Sequence, residues 1–231
     1  INIKKNLFIG VTRGPGLAPS LLVGINTARA LAYKWQKPII GVNHIEGHVY
    51  SNWLSLRFRE SNKFFDSRNQ ILFPALILIV SGGHTELVLM KNYEKYKIIG
   101  QTLDDAAGEC FDKTARLLGL GFPGGPAISK EAEKFEKLKA ISYKLKAVLP
   151  RPMINSNDYN FSFSGLKTAV LYSYKEKDKR MMAYEIQNAI VDVLTAKIIK
   201  AVKNFNPRSV MIAGGVSANK KLREEMAKKI A

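Results

Sequence analysis

The stretch Ala75-Leu76-Ile77-Leu78-Ile79-Val80-Ser81-Gly82-Gly83-His84 decides the fold. Six consecutive apolar residues leave no polar face, so the segment predicts a central strand buried on both sides. It breaks at a glycine turn, at the strand end where open α/β sheets collect ligands. Downstream, Glu86 to Met90 and Lys97 to Gln101 predict two antiparallel neighbours joined by the Asn92-Tyr93-Glu94 turn. Asp104 or Asp105 is then expected to cap a helix that runs through Leu118 and stops at Gly119. Upstream, Leu7-Phe8-Ile9-Gly10-Val11 predicts a short strand, and Arg13-Gly14-Pro15-Gly16 a sharp turn. Pro19 opens a helix carrying Leu22, Ile25, Arg29 and Tyr33 at helical spacing, and Pro38 halts it before a strand at Ile39 to Val42. A strand, a helix and a strand with a glycine turn at the first junction indicate an α/β protein.

The rest of the chain is read more coarsely. Ser55 to Gln70 is polar and loop-like, and Gly121-Phe122-Pro123-Gly124-Gly125-Pro126 reads as irregular. A long amphipathic helix carries Ile186, Ile190, Val193, Leu194, Ile198 and Val202 on one face. The strand Ser209 to Ala213, the turn Gly214-Gly215 and a helix capped near Ser217 close the sequence. A boundary near residue 125 divides a sheet-rich part, 1–125, from a helix-rich part, 126–231.

The 231 residues suffice for one substantial core or two small lobes. No run of about 18 apolar residues occurs, which argues against a membrane span. The start, Ile1 to Asn6, has no signal-peptide core, and Cys110, the single cysteine, fits a reducing cytosol. Cys110 shares an apolar helical face with Ala107, Phe111 and Leu118, so a buried, inert thiol is expected. The net charge of +17 suits a polyanionic partner such as nucleic acid. Lysine is spread along the chain, however, and the stretch Lys130 to Lys146 interleaves Glu131, Glu133 and Glu136. The charge alone does not decide.

Two constellations carry chemistry. In His44-Ile45-Glu46-Gly47-His48, a helix would place both imidazoles on one face, suited to a shared metal or to ordinary packing. Glu46 lies about 200° around that helix from His44, unlike the glutamate of the zinc-protease pattern, which adjoins a histidine. A third ligand has to come from elsewhere, either His84 or a carboxylate beyond Ala231. The glycine turns at 14–16, 82–83, 124–125 and 214–215 would let backbone amides approach a phosphate. Asp112 is expected to look into a cleft or into solvent, Asn219 to meet a ligand or cap a helix, and Lys167 to meet a phosphate or water. Residue reasoning therefore leads to a nucleotide-binding α/β protein, with a metal as one use of the histidine pair.

Taken together, the motifs resemble the TsaD family, also called Gcp or the O-sialoglycoprotein endopeptidase-like family. They are Gly14-Pro15-Gly16-Leu17, Asn43-His44-Ile45-Glu46-Gly47-His48, Val80-Ser81-Gly82-Gly83-His84-Thr85 and Asp104-Asp105-Ala106-Ala107-Gly108-Glu109. Phe111-Asp112-Lys113, Pro123-Gly124-Gly125-Pro126, Phe161-Ser162-Phe163-Ser164-Gly165-Leu166-Lys167-Thr168 and Gly214-Gly215-Val216-Ser217-Ala218-Asn219 complete the set. The related TsaB proteins share the first half of the fold without the two histidines. The resemblance implies an actin-like, Hsp70-like (ribonuclease H-like) ATPase fold of two lobes around a nucleotide cleft. It implies transfer of threonylcarbamoyl from threonylcarbamoyl-AMP to N6 of adenosine 37 of tRNAs that read codons beginning with adenine, releasing AMP.

By the same resemblance His44 and His48 bind one divalent metal, Fe(2+) foremost and Zn(2+) as the alternative. Ile79, Val80, Ser81, Gly82, Gly83, Asp112, Gly125 and Asn219 contact substrate, and no residue is marked as the general base. TsaB-like and TsaE-like partners, a TsaC-like supplier of the adenylate and a cytoplasmic location are implied too. Family members begin with a hairpin bearing Glu-Thr-Ser-Cys-Asp and end with Thr-Asp-Asn, whose aspartate completes the metal site. Neither is in these 231 residues, so both natural ends are expected to be missing and the chain by itself to have weak or no activity. Three rivals are a metalloprotease, an actin-like sugar or acetate kinase, and a non-enzymatic tRNA-binding subunit.

Overall fold

A computed structural model describes residues 8–54, 71–142, 149–174 and 178–230, with side chains 138–142 also set aside. The loop expected at Ser55 to Gln70 and the start of the chain lie outside the described residues. By internal contact the chain groups into two compact units, Ile1–Leu54 and Ser55–Ala231. The lobes 1–125 and 126–231 remain a proposal about the protein's functional division.

Unit 1 is the expected strand–helix–strand. Strand β1 (Ile9–Gly14) and strand β2 (Ile39–Asn43) are parallel, in register from Ile9 against Ile39 to Thr12 against Val42, with a one-residue shift before Gly14 meets Asn43. Helix α1 (Ala18–Trp35) connects them, with proline in its first turn and Gln36 in the left-handed conformation at its end. Helix α2 (His44–Tyr50) follows β2 directly, because the Asn43 side chain accepts hydrogen bonds from the Ile45 and Glu46 amides.

Unit 2 is built on a four-stranded sheet, β3 (Ala75–Val80), β4 (Thr85–Asn92), β5 (Lys95–Gln101) and β6 (Ser209–Ala213), in the order β5-β4-β3-β6. β3 pairs antiparallel with β4 and parallel with β6, so β3 is central and entirely buried, as its apolar run predicts. The sheet is thus an antiparallel meander with a parallel strand on the far side of its first member. The fold class is α/β, as expected.

Helices α3 (Ala107–Leu117), α4 (Gly124–Ser142), α5 (Ser164–Ser173), α6 (Lys179–Phe205) and α7 (Lys220–Ile230) complete the unit. Leu76, Leu78 and Val80 of β3 share one core with Phe111, Ile128, Phe161, Ile190 and Leu194. Each such side chain contributes about 1.5–3 kcal/mol on burial, so losing their common face would unfold the unit.

Four local expectations are corrected. Asp104 and Asp105 do not cap α3, whose first residue, Ala107, instead donates its amide to the Thr85 hydroxyl. Asp104 serves the start of α5: its carboxylate accepts from the Ser162 and Ser164 hydroxyls and from the Phe163 and Ser164 amides. Burial lifts the Asp104 carboxyl, but these hydrogen bonds outweigh it and hold the group below the usual carboxylate range. Asp105 pairs with Lys113 at 2.7 Å. Second, the segment read as irregular turns helical at Gly124, because the Asp112 carboxylate accepts the Gly124 amide at 2.7 Å. Third, α7 is capped by Asn219, whose Oδ1 accepts the Leu222 amide, and not by Ser217. Fourth, α6 is buried on several faces, with Met182, Ala189, Val193 and Ile198 all inaccessible, because α4 and the sheet enclose it.

Candidate functional site

Within unit 2 three helix starts and two glycine turns converge. The β3–β4 turn brings Gly82, α3 brings Gly108, Phe111 and Asp112, and the start of α4 brings Gly125, Pro126, Ser129 and Glu133. The segment leaving β6 adds Gly215, Val216, Ala218, Asn219 and Lys220. Together they line a cleft of about 550 Å³, large enough for a nucleotide-sized ligand.

Glycine makes this convergence possible. A Cβ on Gly108 would stand 2.4 Å from the Ser81 carbonyl oxygen, which in fact accepts the Gly108 amide at 3.2 Å. A Cβ on Gly214, at φ +90°, would stand 2.3 Å from the Val80 carbonyl oxygen. These two glycines dock α3 and the β6 turn on the end of β3. Gly82, Gly125 and Gly215 differ: nothing lies within 4 Å of a Cβ there, so their bareness serves open space and not packing.

Of the residues singled out by sequence, Gly82, Asp112, Gly125 and Asn219 line the cleft. Ile79 and Val80 are wholly buried in β3, so only their backbone could meet a ligand. Ser81 receives the His84 amide on its hydroxyl, and its own amide donates to the His84 carbonyl, closing the turn that presents Gly82 and Gly83. Asp112 both lines the cleft and caps α4. Asn219 donates to Ser129 Oγ at 3.0 Å and to Gln187 Oε1 at 3.1 Å. Gly215, from a turn offered as a phosphate cradle, also lines it, whereas Gly108, Ser129, Glu133 and Lys220 were not marked as ligand contacts by sequence, since each is an unremarkable residue until the loops are folded together.

In unit 1, His44 and His48 lie on one face of α2 with ring centroids 4.6 Å apart, edge to face. Two imidazoles at this separation suit a shared cation, so the donors present fit a metal. Among the described residues no group of three histidine, cysteine or acidic side chains forms. Cys110 is buried, and burial, with Asp105 and Asp104 adding to it, pushes its thiol up to about 12, which leaves it inert near neutrality.

The family model for TsaD, tRNA N6-adenosine threonylcarbamoyltransferase, matches residues 1–231. The chain belongs to the TsaD family. A TsaD of Thermosipho melanesiensis is 49% identical, covering 93% of this chain and 61% of its own length. Those of Thermomicrobium roseum and Bacillus subtilis are 47% and 44% identical, covering 94% and 96% of this chain and 63% and 60% of their own lengths. The chain thus spans less than two thirds of these TsaD relatives. A solved activator of 2-hydroxyisocaproyl-CoA dehydratase from Clostridium difficile, with bound ADPNP, gives a TM-score of 0.48 at 13% identity over 95% of this chain and 74% of its own. It is too remote to argue from.

Proposed function

We propose that the unit 2 cleft holds the adenylate of threonylcarbamoyl-AMP, and that the protein passes threonylcarbamoyl to N6 of adenosine 37 in tRNAs reading codons that begin with adenine. One observation carries this reading: Gly82, Asp112, Gly125 and Asn219, which come from four separate TsaD motifs, line a single cleft. The N6 amine attacks the carbamoyl carbon, the bond from that carbon to the phosphate oxygen breaks, AMP leaves, and the amine sheds one proton. Backbone amides at Gly82 and Gly125, which line the cleft, would hold phosphate. Lys220 adds a cation at the same cleft.

His44 and His48 would hold the family's divalent metal, Fe(2+) foremost or Zn(2+), with the third ligand from outside this segment. When bound, that metal supplies a Lewis acid for the carbamoyl group. TsaB-like and TsaE-like proteins would be the partners, and a TsaC-like enzyme the source of the adenylate. The charge of +17 favours tRNA as the second substrate. No described helix is long and apolar enough to cross a membrane, which is compatible with work in the cytoplasm.

Gly82→Val tests the reading. Its Cβ meets no protein atom within 4 Å, so folding should survive while the side chain occupies the cleft. In the full-length protein, with partners and adenylate supplied, nucleoside mass analysis should show modified adenosine falling at least about tenfold, the scale of 1.4 kcal/mol. The melting temperature should stay at the wild-type value. Undiminished transfer by a folded Gly82→Val protein would contradict the assignment.

A further inference from the structure

Behind Asn219 lies a polar cluster whose protons can be assigned one by one. The Leu222 backbone amide can only donate, and it donates to Asn219 Oδ1 at 3.0 Å. That fixes the carboxamide, so its NH2 group faces Ser129 Oγ at 3.0 Å and Gln187 at 3.1 Å. Gln187, which is 5% exposed, must therefore present its carbonyl oxygen, since its own NH2 would oppose another donor. The Ser129 hydroxyl then sends its proton to the same Gln187 oxygen at 2.7 Å.

The Ser129 hydroxyl proton is spent on Gln187, and the Asn219 carboxamide is held between Leu222 on its oxygen and Ser129 and Gln187 on its nitrogen. What remains for a ligand on these two side chains, both of which line the cleft, is one lone pair on Asn219 Oδ1 and one on Ser129 Oγ. Resting on the adenylate reading above, we propose that Gln187 is a positioning residue that, by taking the Ser129 proton and holding the Asn219 carboxamide, makes Ser129 Oγ and Asn219 Oδ1 acceptors for hydrogen-bond donors of the nucleoside. A phosphate, which offers only acceptors, gains nothing from these two oxygens and is left to the glycine amides and Lys220. The nucleotide is thereby oriented, with a donor of its ribose hydroxyls or its exocyclic amine on Ser129 and Asn219.

The test uses calorimetric titration of the full-length protein with AMP, 2′,3′-dideoxy-AMP and IMP. The second lacks the hydroxyl donors, and the third replaces the amine with an acceptor. Wild type should bind AMP at least about tenfold more tightly than one of the two analogues, the usual penalty when a built hydrogen-bond site loses its partner. Which analogue fails names the donor. Gln187→Met should shrink that preference below about threefold, and Gln187→Glu, which keeps the acceptor, should restore it. Equal binding of all three nucleotides by wild type overturns the inference while leaving the adenylate site standing. So does full discrimination by a folded Gln187→Met protein. Failure of wild type to bind AMP at all sinks the adenylate reading and this one with it. Should Gln187→Met not fold, the wild-type comparison alone still decides.

Discussion

Gly214→Ala is expected to remove a large part of the folding stability of unit 2. The residue sits at φ +90° and ψ 168°, a region essentially reserved for glycine. Its would-be Cβ stands 2.3 Å from the Val80 carbonyl oxygen, well inside contact. Neither side can yield, because Val80 ends the fully buried central strand and β6 pairs with that strand up to Ala213. Backbone strain of about 1–3 kcal/mol plus the overlap should bring the loss to about 3–5 kcal/mol, a large part of a typical domain's stability. Urea unfolding followed by circular dichroism would measure it. A loss under about 1 kcal/mol, within the range of ordinary substitutions, would mean that the β6 turn does not dock on β3 as described.

The second large effect falls on Lys197. It is fully buried in α6, yet it carries an ammonium group that donates to Ser156 Oγ, to the Asp158 carbonyl at 3.0 Å and to the Asp158 carboxylate at 3.3 Å. Lys200, one turn on, donates to the carbonyls of Ser156 and Asn157. Together they clamp the loop that runs on to Phe161, whose backbone pairs with Gln101 and Leu103 along β5. That loop pairs with the end of the edge strand, while Lys95 to Ile98 stay exposed. Lys197→Ala removes the buried stem and leaves these acceptors unmatched, which should cost about 2–4 kcal/mol. Hydrogen exchange should quicken first at Gln101, Leu103 and Phe161. Unchanged exchange at those three amides would refute the clamp.

The same clamp sets a pH dependence. Hydrogen bonding from Ser156, with Lys197 and Asn160, holds the Asp158 carboxyl down at about 2 against the opposing effect of burial. Its folded value lies below its unfolded one, so its contribution is complete above about pH 4 and fades as the pH falls toward 2. Burial lowers the Lys197 ammonium, against the pull of Asp158. For this group the unfolded chain binds the proton more readily, so raising the pH below its unfolded value of about 10.4 favours the fold.

Much of the architecture was legible because it rests on local pattern. The apolar run at Ala75 to Val80 admits no half-exposed strand, and Pro19 and Pro38 bracket the helix between the first two strands. What failed was any assignment whose partner lies far along the chain. Asp104 looks like the cap of the nearest helix, yet it serves amides 59 and 60 residues away. The Pro-Gly-Gly-Pro segment reads as irregular until Asp112, 12 residues earlier, supplies an acceptor for its first amide. The cleft was legible only in pieces. Gly82, Gly125 and Asn219 stood out through their motifs, whereas Gln187 sat unnoticed beside Ile186. It is followed by Asn188, so nothing in the local pattern singles it out, and its role appears only when Ser129 and Asn219 are brought alongside.

The central claim is that the unit 2 cleft takes an adenine nucleotide, and amide NMR of the full-length protein titrated with AMP tests it most directly. Saturable shifts should gather on Gly82, Gly108, Gly125 and Gly215, and they should vanish in Gly82→Val. Shifts confined to another groove, such as the one lined by Pro207, Val210 and Met226, or no saturable shifts at all, would contradict it.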